Sequence, residues 1–395
     1  MTPSQRKEHR PIVDVTIDRA HGVAGHPLPS ASPESLGLDP DRLNLLYQTV
    51  EAGVTSGEYP GATVAIARHG KLAASKVFGQ ARSGADATDE TLWLMFSQTK
   101  PITTSVIWQL VERGVLSYDD RIAAHVPEFA QHGKGDITLH QVLTHQGGYP
   151  NARPTPEAWA DHALLRQQVC EFTLEWTPGS RMHYHGESAH WTAAVLIEAI
   201  TGRDYRTVIR EQLLDPVGLS DLIVGVPEAQ QERCVDMHEV QDGRQVPSAD
   251  WNTAACRAAG RPGGGGYTTA AALTAFYQML LAGGILNGRR VLAPRSIAYA
   301  TRNHTGDRTD TSQGVPMHRG IGVYLRGETT IGWMTGTLAP SATFGHGGAG
   351  SSISWADPQS GLSFTYIQNS RRDGDWIKRH LDCISNLVHG ALIEP

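Results

Sequence analysis

Segments with the alternation of β-strands lie at both ends of this chain, and a long helical stretch separates them. That arrangement leaves few ways to close a sheet. Near the start, residues 62–68 and 72–78 are apolar runs joined by His69-Gly70-Lys71, a hairpin signal. Toward the C-terminus, residues 320–326, 341–345, 351–356 and 361–368 read as successive antiparallel strands, and residues 376–392 as a closing helix. The middle carries helices at 191–200, stopped by Gly202, and at 269–281, with loop signals at Pro127, Gly147-Gly148 and residues 150–156. Residues 39–54 predict a further helix ahead of the hairpin. The fold class expected is α/β of the α+β kind: a central antiparallel sheet built from both chain ends and flanked by helices, plus an inserted mainly helical region. In residue numbers this is an N-terminal arm at 1–35, a sheet domain at 36–110 and 285–395, and a helical domain at 111–284. An active site is expected between the two domains, because such junctions form clefts.

With 395 residues, 40% of them hydrophobic and 19% charged, the chain can bury a large core. Its net charge of −6 is spread out, which argues against nucleic acid or an anionic membrane as partner and leaves small neutral molecules. No apolar run is long enough to cross a bilayer. Cys170, Cys234, Cys256 and Cys383 are far apart and read as reduced, buried thiols of a cytoplasmic protein. The first 25 residues lack the apolar core of an export signal. Nothing in the sequence sets the oligomeric state.

The chemistry concentrates where the apolar run Trp93-Leu-Met-Phe96 meets Ser97-Gln-Thr-Lys100. Apolar residues then recur at Ile102, Val106, Ile107, Leu110 and Val111, the spacing of an amphipathic helix with Ser97 at its N-terminus. Residues three apart share a helix face, so the Lys100 amine can reach the Ser97 hydroxyl. Burial would lower the lysine pKa and let a neutral amine take the hydroxyl proton. The spacing by itself is unspecific, since Ser4 and Lys7 match it in a charged tail.

Two later stretches could complete a site. Tyr184-His185-Gly186 lies in a loop entering a helix, where the tyrosine could relay a proton. His346-Gly347-Gly348-Ala349 offers a strand with little side chain, along which a substrate could lie, with the Ala349 N–H pairing with that of Ser97 as an oxyanion hole. The three stretches, in this order, resemble the serine β-lactamase and penicillin-binding-protein superfamily, in particular the class C β-lactamase-like branch that includes family VIII carboxylesterases and D-aminopeptidases. Ser97-Gln-Thr-Lys100 is similar to its Ser-x-x-Lys, Tyr184-His185-Gly186 stands at its Tyr-x-Asn, and His346-Gly347-Gly348 at its Lys-Thr-Gly or His-x-Gly. Residues 143–148, 178–180, 213–219 and 263–269 are also similar to the family, from about residue 35 to the end.

The resemblance implies an acyl-enzyme on Ser97, with Lys100 and Tyr184 moving protons and the Ser97 and Ala349 amides holding the oxyanion. No cofactor or metal is implied. Two departures bear on the substrate. Gly186 lacks the side chain with which relatives grip an amide, and His346 replaces a fixed cation with a residue often neutral near pH 7. Both favour carboxylic esters or small amides over lactams, with β-lactamase, D-aminopeptidase, amidase or acyltransferase activity on the same site as alternatives. His185 is a further candidate for substrate binding. Trp159, Trp176, Trp333 and Met334 are candidates for an apolar acyl pocket. Three other readings compete. Gly186-Glu-Ser188-Ala-His190 approximates the elbow of an α/β-hydrolase, and His183, His185 and His190 could suggest a metal site. A non-catalytic binding member of the fold is the third.

Overall fold

The computed structural model describes residues 27–328 and 334–393. Most of the expected N-terminal arm, with Ser4 and Lys7, and also Trp333, lie outside the described residues.

A seven-stranded antiparallel sheet is drawn from the two ends of the chain. Its strands are β1 (Gly61–Arg68), β2 (Lys71–Arg82), β3 (Ala85–Asp86), β4 (Tyr324–Leu325), β5 (Phe344–Gly348), β6 (Ser352–Asp357) and β7 (Leu362–Gln368), in the spatial order β4-β5-β6-β7-β1-β2-β3. The seam between the two ends is β1 against β7, in register from Ala62 opposite Gln368 to Arg68 opposite Leu362. The β1–β2 hairpin turns through His69 and Gly70, both with positive φ (52° and 75°), as a two-residue turn that matches strand twist demands. One predicted strand is much shorter than its alternation suggests. Of residues 320–326 only β4 pairs, because Gly322 at φ 80° bends the chain just before it.

The principal helices are α1 (Pro40–Thr55), α2 (Lys100–Glu112), α3 (Ser188–Thr201), α4 (Ala270–Leu281) and α5 (Gly374–His389). Asp39 and Asp373 cap α1 and α5 through their carboxylates. These two helices cover one face of the sheet, where Leu43, Leu46, Val50, Leu381, Ile384 and Val388 meet Val64, Ile66, Trp355 and Phe364. On β1 the alternate residues Ala65 and Ala67 join the other core. Their small side chains let α4 approach, and Gln278 of α4 donates to the Ala67 carbonyl (3.1 Å) and Ser363 Oγ (2.9 Å). Both faces of β1 are therefore buried. Among the described residues no helix is long and apolar enough to cross a membrane.

Helix α2 departs from the expected amphipathic form. It is buried all round from Lys100 to Leu110, against α3 and its neighbours. Its polar residues are short or bonded to backbone: Thr103 to the Pro262 carbonyl (2.7 Å), Ser105 to that of Pro101 (2.8 Å), and Gln109 to those of Gln212 and Val291 (3.0 and 2.9 Å). Sequence period cannot distinguish such residues from a solvated face. The cysteines are all free, and Cys383 is exposed rather than buried as expected, on α5.

Candidate active site

Ser97 stands in a 3₁₀ turn, Phe96–Thr99, immediately before α2 rather than on its first helical turn. The preceding Phe96 has φ 48°, costly for a bulky residue. Thr99 locks the turn. Its hydroxyl donates to the Phe96 carbonyl (2.7 Å) and accepts the Gly266 N–H (3.0 Å). From this turn Lys100 enters the interior, fully buried, with Nζ 3.2 Å from Ser97 Oγ, 2.7 Å from the Gly186 carbonyl and 2.6 Å from the Gly263 carbonyl.

Those three neighbours define what a neutral amine does there. A carbonyl only accepts, so the two N–H groups go to Gly186 and Gly263 and the lone pair is left for the Ser97 hydroxyl. Burial lowers the Lys100 pKa to about 7, with Glu187 and Tyr324 opposing and Arg319 and Arg261 assisting. Tyr184 approaches from the other side, its hydroxyl donating to Ser97 Oγ at 2.9 Å. Burial raises the Tyr184 pKa above its usual value, against the hydrogen bond to Ser97 and the Arg319 charge, so the phenol is protonated near neutral pH.

The third stretch is held against the Ser97 turn by its glycines. A Cβ on Gly348 would fall 2.5 Å from the Met95 carbonyl oxygen and from Ser352 Oγ, and one on Gly350 would fall 2.6 Å from the Phe96 ring. Exposed Ala349 lies between these two glycines, which close on the residues flanking Ser97. Gly347 lies against Met334, whose Sδ would be 2.5 Å from an added Cβ. His346 is buried, with Nδ1 2.7 Å from the Gly347 carbonyl and its ring stacked on Tyr324 at 4.1 Å. Burial, then the Lys100 charge, keeps its pKa well below 6.5, so the ring is neutral.

Gly186 shares its carbonyl with Lys100, and a Cβ there would meet nothing within 4 Å. The side chain missing from the second motif leaves open space. His185, by contrast, turns inward: Nδ1 is 2.6 Å from the His183 carbonyl and Nε2 accepts the Tyr149 N–H at 3.2 Å. Both ring nitrogens are engaged away from Ser97. Trp176 packs on His183 and His185, whereas Trp159 packs on Arg261.

The rival constellations do not assemble. Ser188 is buried at the start of α3 with no hydrogen-bond partner for its Oγ, and the sheet is antiparallel, unlike that of an α/β-hydrolase. His183 bonds Thr311 and His190 bonds Thr104, so with His185 they form no common ligand set. Among the described residues one ligand-like group, His162, Glu198 and Asp204, stands elsewhere, and the Arg206 guanidinium lies 2.8 Å from His162 Nε2 within it.

Sequence reading missed the support behind Tyr184. His145, at φ 61°, packs its ring on Tyr184 (4.9 Å) and takes the His185 N–H on Nδ1 (3.1 Å). Asp310 accepts the Tyr184 N–H (3.2 Å) and pairs with fully buried Arg319. Residues 143–148 carried a family likeness that could have flagged His145. No motif marks Asp310 or Arg319.

A sheet drawn from both chain ends, with a serine, lysine and tyrosine converging beneath it, is the architecture of the penicillin-recognising serine enzymes. The β-lactamase family model matches residues 46–380, and the chain belongs to that family. It is 26% identical to the esterase/beta-lactamase LipL of Mycobacterium tuberculosis, over 91% of this chain and 88% of that protein. Among solved structures it resembles a penicillin-binding protein homologue from Caulobacter crescentus, with TM-score 0.76 and 27% identity over 90% of this chain and 99% of the other. A family VIII carboxylesterase superposes with TM-score 0.77 and 25% identity, over the same shares of the two chains.

Proposed function

We propose that this protein is a serine hydrolase that cleaves small carboxylic esters, and small amides more slowly, through an acyl-enzyme on Ser97. The observation that carries the reading is the surroundings of Lys100: two carbonyls and the Ser97 hydroxyl, with a pKa brought to about 7 by burial. Neutral Lys100 takes the Ser97 proton as Oγ bonds to the ester carbonyl carbon, and the oxyanion rests on the Ser97 and Ala349 N–H groups. The tetrahedral intermediate collapses, the ester C–O bond breaks, and Tyr184 gives its proton to the departing alkoxide. Water then attacks the acyl carbon, losing a proton to the Tyr184–Lys100 pair. The acid leaves, and Ser97 recovers its proton.

The open space at Gly186 and the neutral His346 support esters over lactams, since neither offers a side chain to grip an amide or a charge to anchor a carboxylate. The names of the relatives, an esterase/beta-lactamase and a family VIII carboxylesterase, are in keeping with this. The test compares hydrolysis of a p-nitrophenyl butyrate with that of a chromogenic cephalosporin. Expected is a kcat/KM for the ester at least 100-fold the lactam's, lost in Ser97→Ala, a margin of about 2.7 kcal/mol. Equal ester hydrolysis in Ser97→Ala contradicts the reading.

A further inference from the structure

Behind Tyr184 lies a buried ion pair that the three motifs do not account for. Arg319 and Asp310 are both essentially inaccessible, and the arginine bonds Asp310 Oδ2 through Nη2. Asp310 Oδ1 accepts the Tyr184 N–H (3.2 Å) together with the N–H and hydroxyl of Ser312 (2.9 and 2.6 Å). The Thr311 N–H extends this clasp to the Met182 carbonyl (2.9 Å). The guanidinium lies 5.1 Å from the centre of the Tyr184 ring and 4.5 Å from that of Tyr324. Tyr324 in turn stacks on His346.

Resting on the reading above, we propose that Arg319, anchored by Asp310, is a positioning residue of the reaction: the fixed cation that holds Tyr184 against Ser97 and disfavours a second positive charge on Lys100. Charge accounting around Lys100 supports this. From the loop entering α3 come Tyr184 and Glu187, from α3 His190, from the loop before α4 Arg261, from β4 Tyr324, from β5 His346, and His145 packs behind Tyr184. The histidines are neutral. Arg261 is matched by Glu187 at 3.4 Å, and both act on Lys100 with opposite signs. Arg319 acts on Lys100 directly, and Asp310 acts on Tyr184, whose N–H it accepts and whose pKa it helps to raise. The Asp310 carboxylate is fully occupied by Arg319, Ser312 and the Tyr184 N–H, while the guanidinium faces the Tyr184 and Tyr324 rings. A histidine in the third motif contributes no charge there, and Arg319, in the segment leading into β4, supplies one.

Building and burying such a pair costs desolvation that an apolar pair would avoid, so a structural role alone is a poor explanation. The test is the pH dependence of kcat/KM for an activated ester in Arg319→Met, Arg319→Lys and wild type. Without the cation Lys100 is easier to protonate. Arg319→Met moves the acid-limb midpoint up by about one pH unit, an approximately tenfold loss of rate below it, while Arg319→Lys stays near the wild type. If Arg319→Met does not fold, the neutral pair Asp310→Asn/Arg319→Met is read in its place and shows the same upward shift. An unmoved midpoint, or equal shifts in Met and Lys variants, overturns the proposal. Ser97→Ala is run in parallel: activity surviving there overturns the hydrolase reading itself, whereas Ser97-dependent activity with an unmoved midpoint overturns only the role of Arg319.

Discussion

At the scale of single residues, the site separates two proton-transfer groups by environment. Lys100 is surrounded by groups that only accept its protons, apart from the Ser97 hydroxyl, so losing a proton makes it a base aimed at one atom. Tyr184 is raised in pKa and arrives protonated, which suits it to serve the leaving group. Tyr184→Phe is expected to lower kcat for ester cleavage by about 10²- to 10⁴-fold with little change in the melting temperature, because the ring and its packing remain. Steady-state kinetics beside thermal unfolding check this, and a fall below threefold contradicts it. The convergence of Ser97, Lys100 and Tyr184 was legible because Ser97 and Lys100 share a short motif with apolar flanks and Tyr184 stands where the family resemblance places its second motif. Asp310 and Arg319 were not. A buried arginine differs from an exposed one only through its partner, nine residues away across a bend that no local pattern encodes.

At the scale of elements, the strands and helices of the sheet layers were readable, since β6, β7 and α5 follow periods of two or of about 3.6 and β1 is a short apolar run closed by a hairpin signal. What misled was burial on all sides. Helix α2 looks amphipathic in sequence because Thr103, Thr104, Ser105 and Gln109 interrupt its apolar run, yet all four are buried and bonded within the protein. That burial has a consequence for chemistry. A helix enclosed on every side carries Lys100 into the interior, where burial lowers its pKa. The glycines of β5 act in the same direction by letting the strand close on the Ser97 turn. The positive φ at Phe96 could not be foreseen, because nothing local favours it in a phenylalanine.

At the scale of the whole molecule, a sheet closed by both chain ends encloses several histidines kept neutral by burial. Burial, ahead of nearby cations, holds His145, His190 and His346 well below 6.5, and brings His185 and His380 to about 4. On unfolding these rings regain their ordinary pKa and bind protons that the folded state refuses. The part of the stability that these histidines contribute is therefore complete above about pH 6.5 and is lost as pH falls from there toward about 4, the direction set by the greater proton uptake of the unfolded chain. The melting temperature is expected to fall continuously below pH 6.5 as the rings charge in the unfolded chain, and to rise further from pH 7 to 8, where buried Lys100, with its pKa brought to about 7, gives up a proton that the unfolded lysine keeps. A level profile down to pH 5 contradicts the burial of neutral rings. The joining of the ends was legible from the placement of strand-like runs. The number of buried histidines was not, because 18 are spread through the sequence without pattern.

The central claim is a covalent bond between an acyl group and Ser97, and intact-mass spectrometry with peptide mapping tests it most directly. The protein is incubated with a short p-nitrophenyl ester and, separately, with a serine-directed fluorophosphonate, beside Ser97→Ala. A single adduct on the peptide holding Ser97, absent from the variant, is the result predicted. An adduct mapped to Ser188, or one that persists in Ser97→Ala, would contradict it.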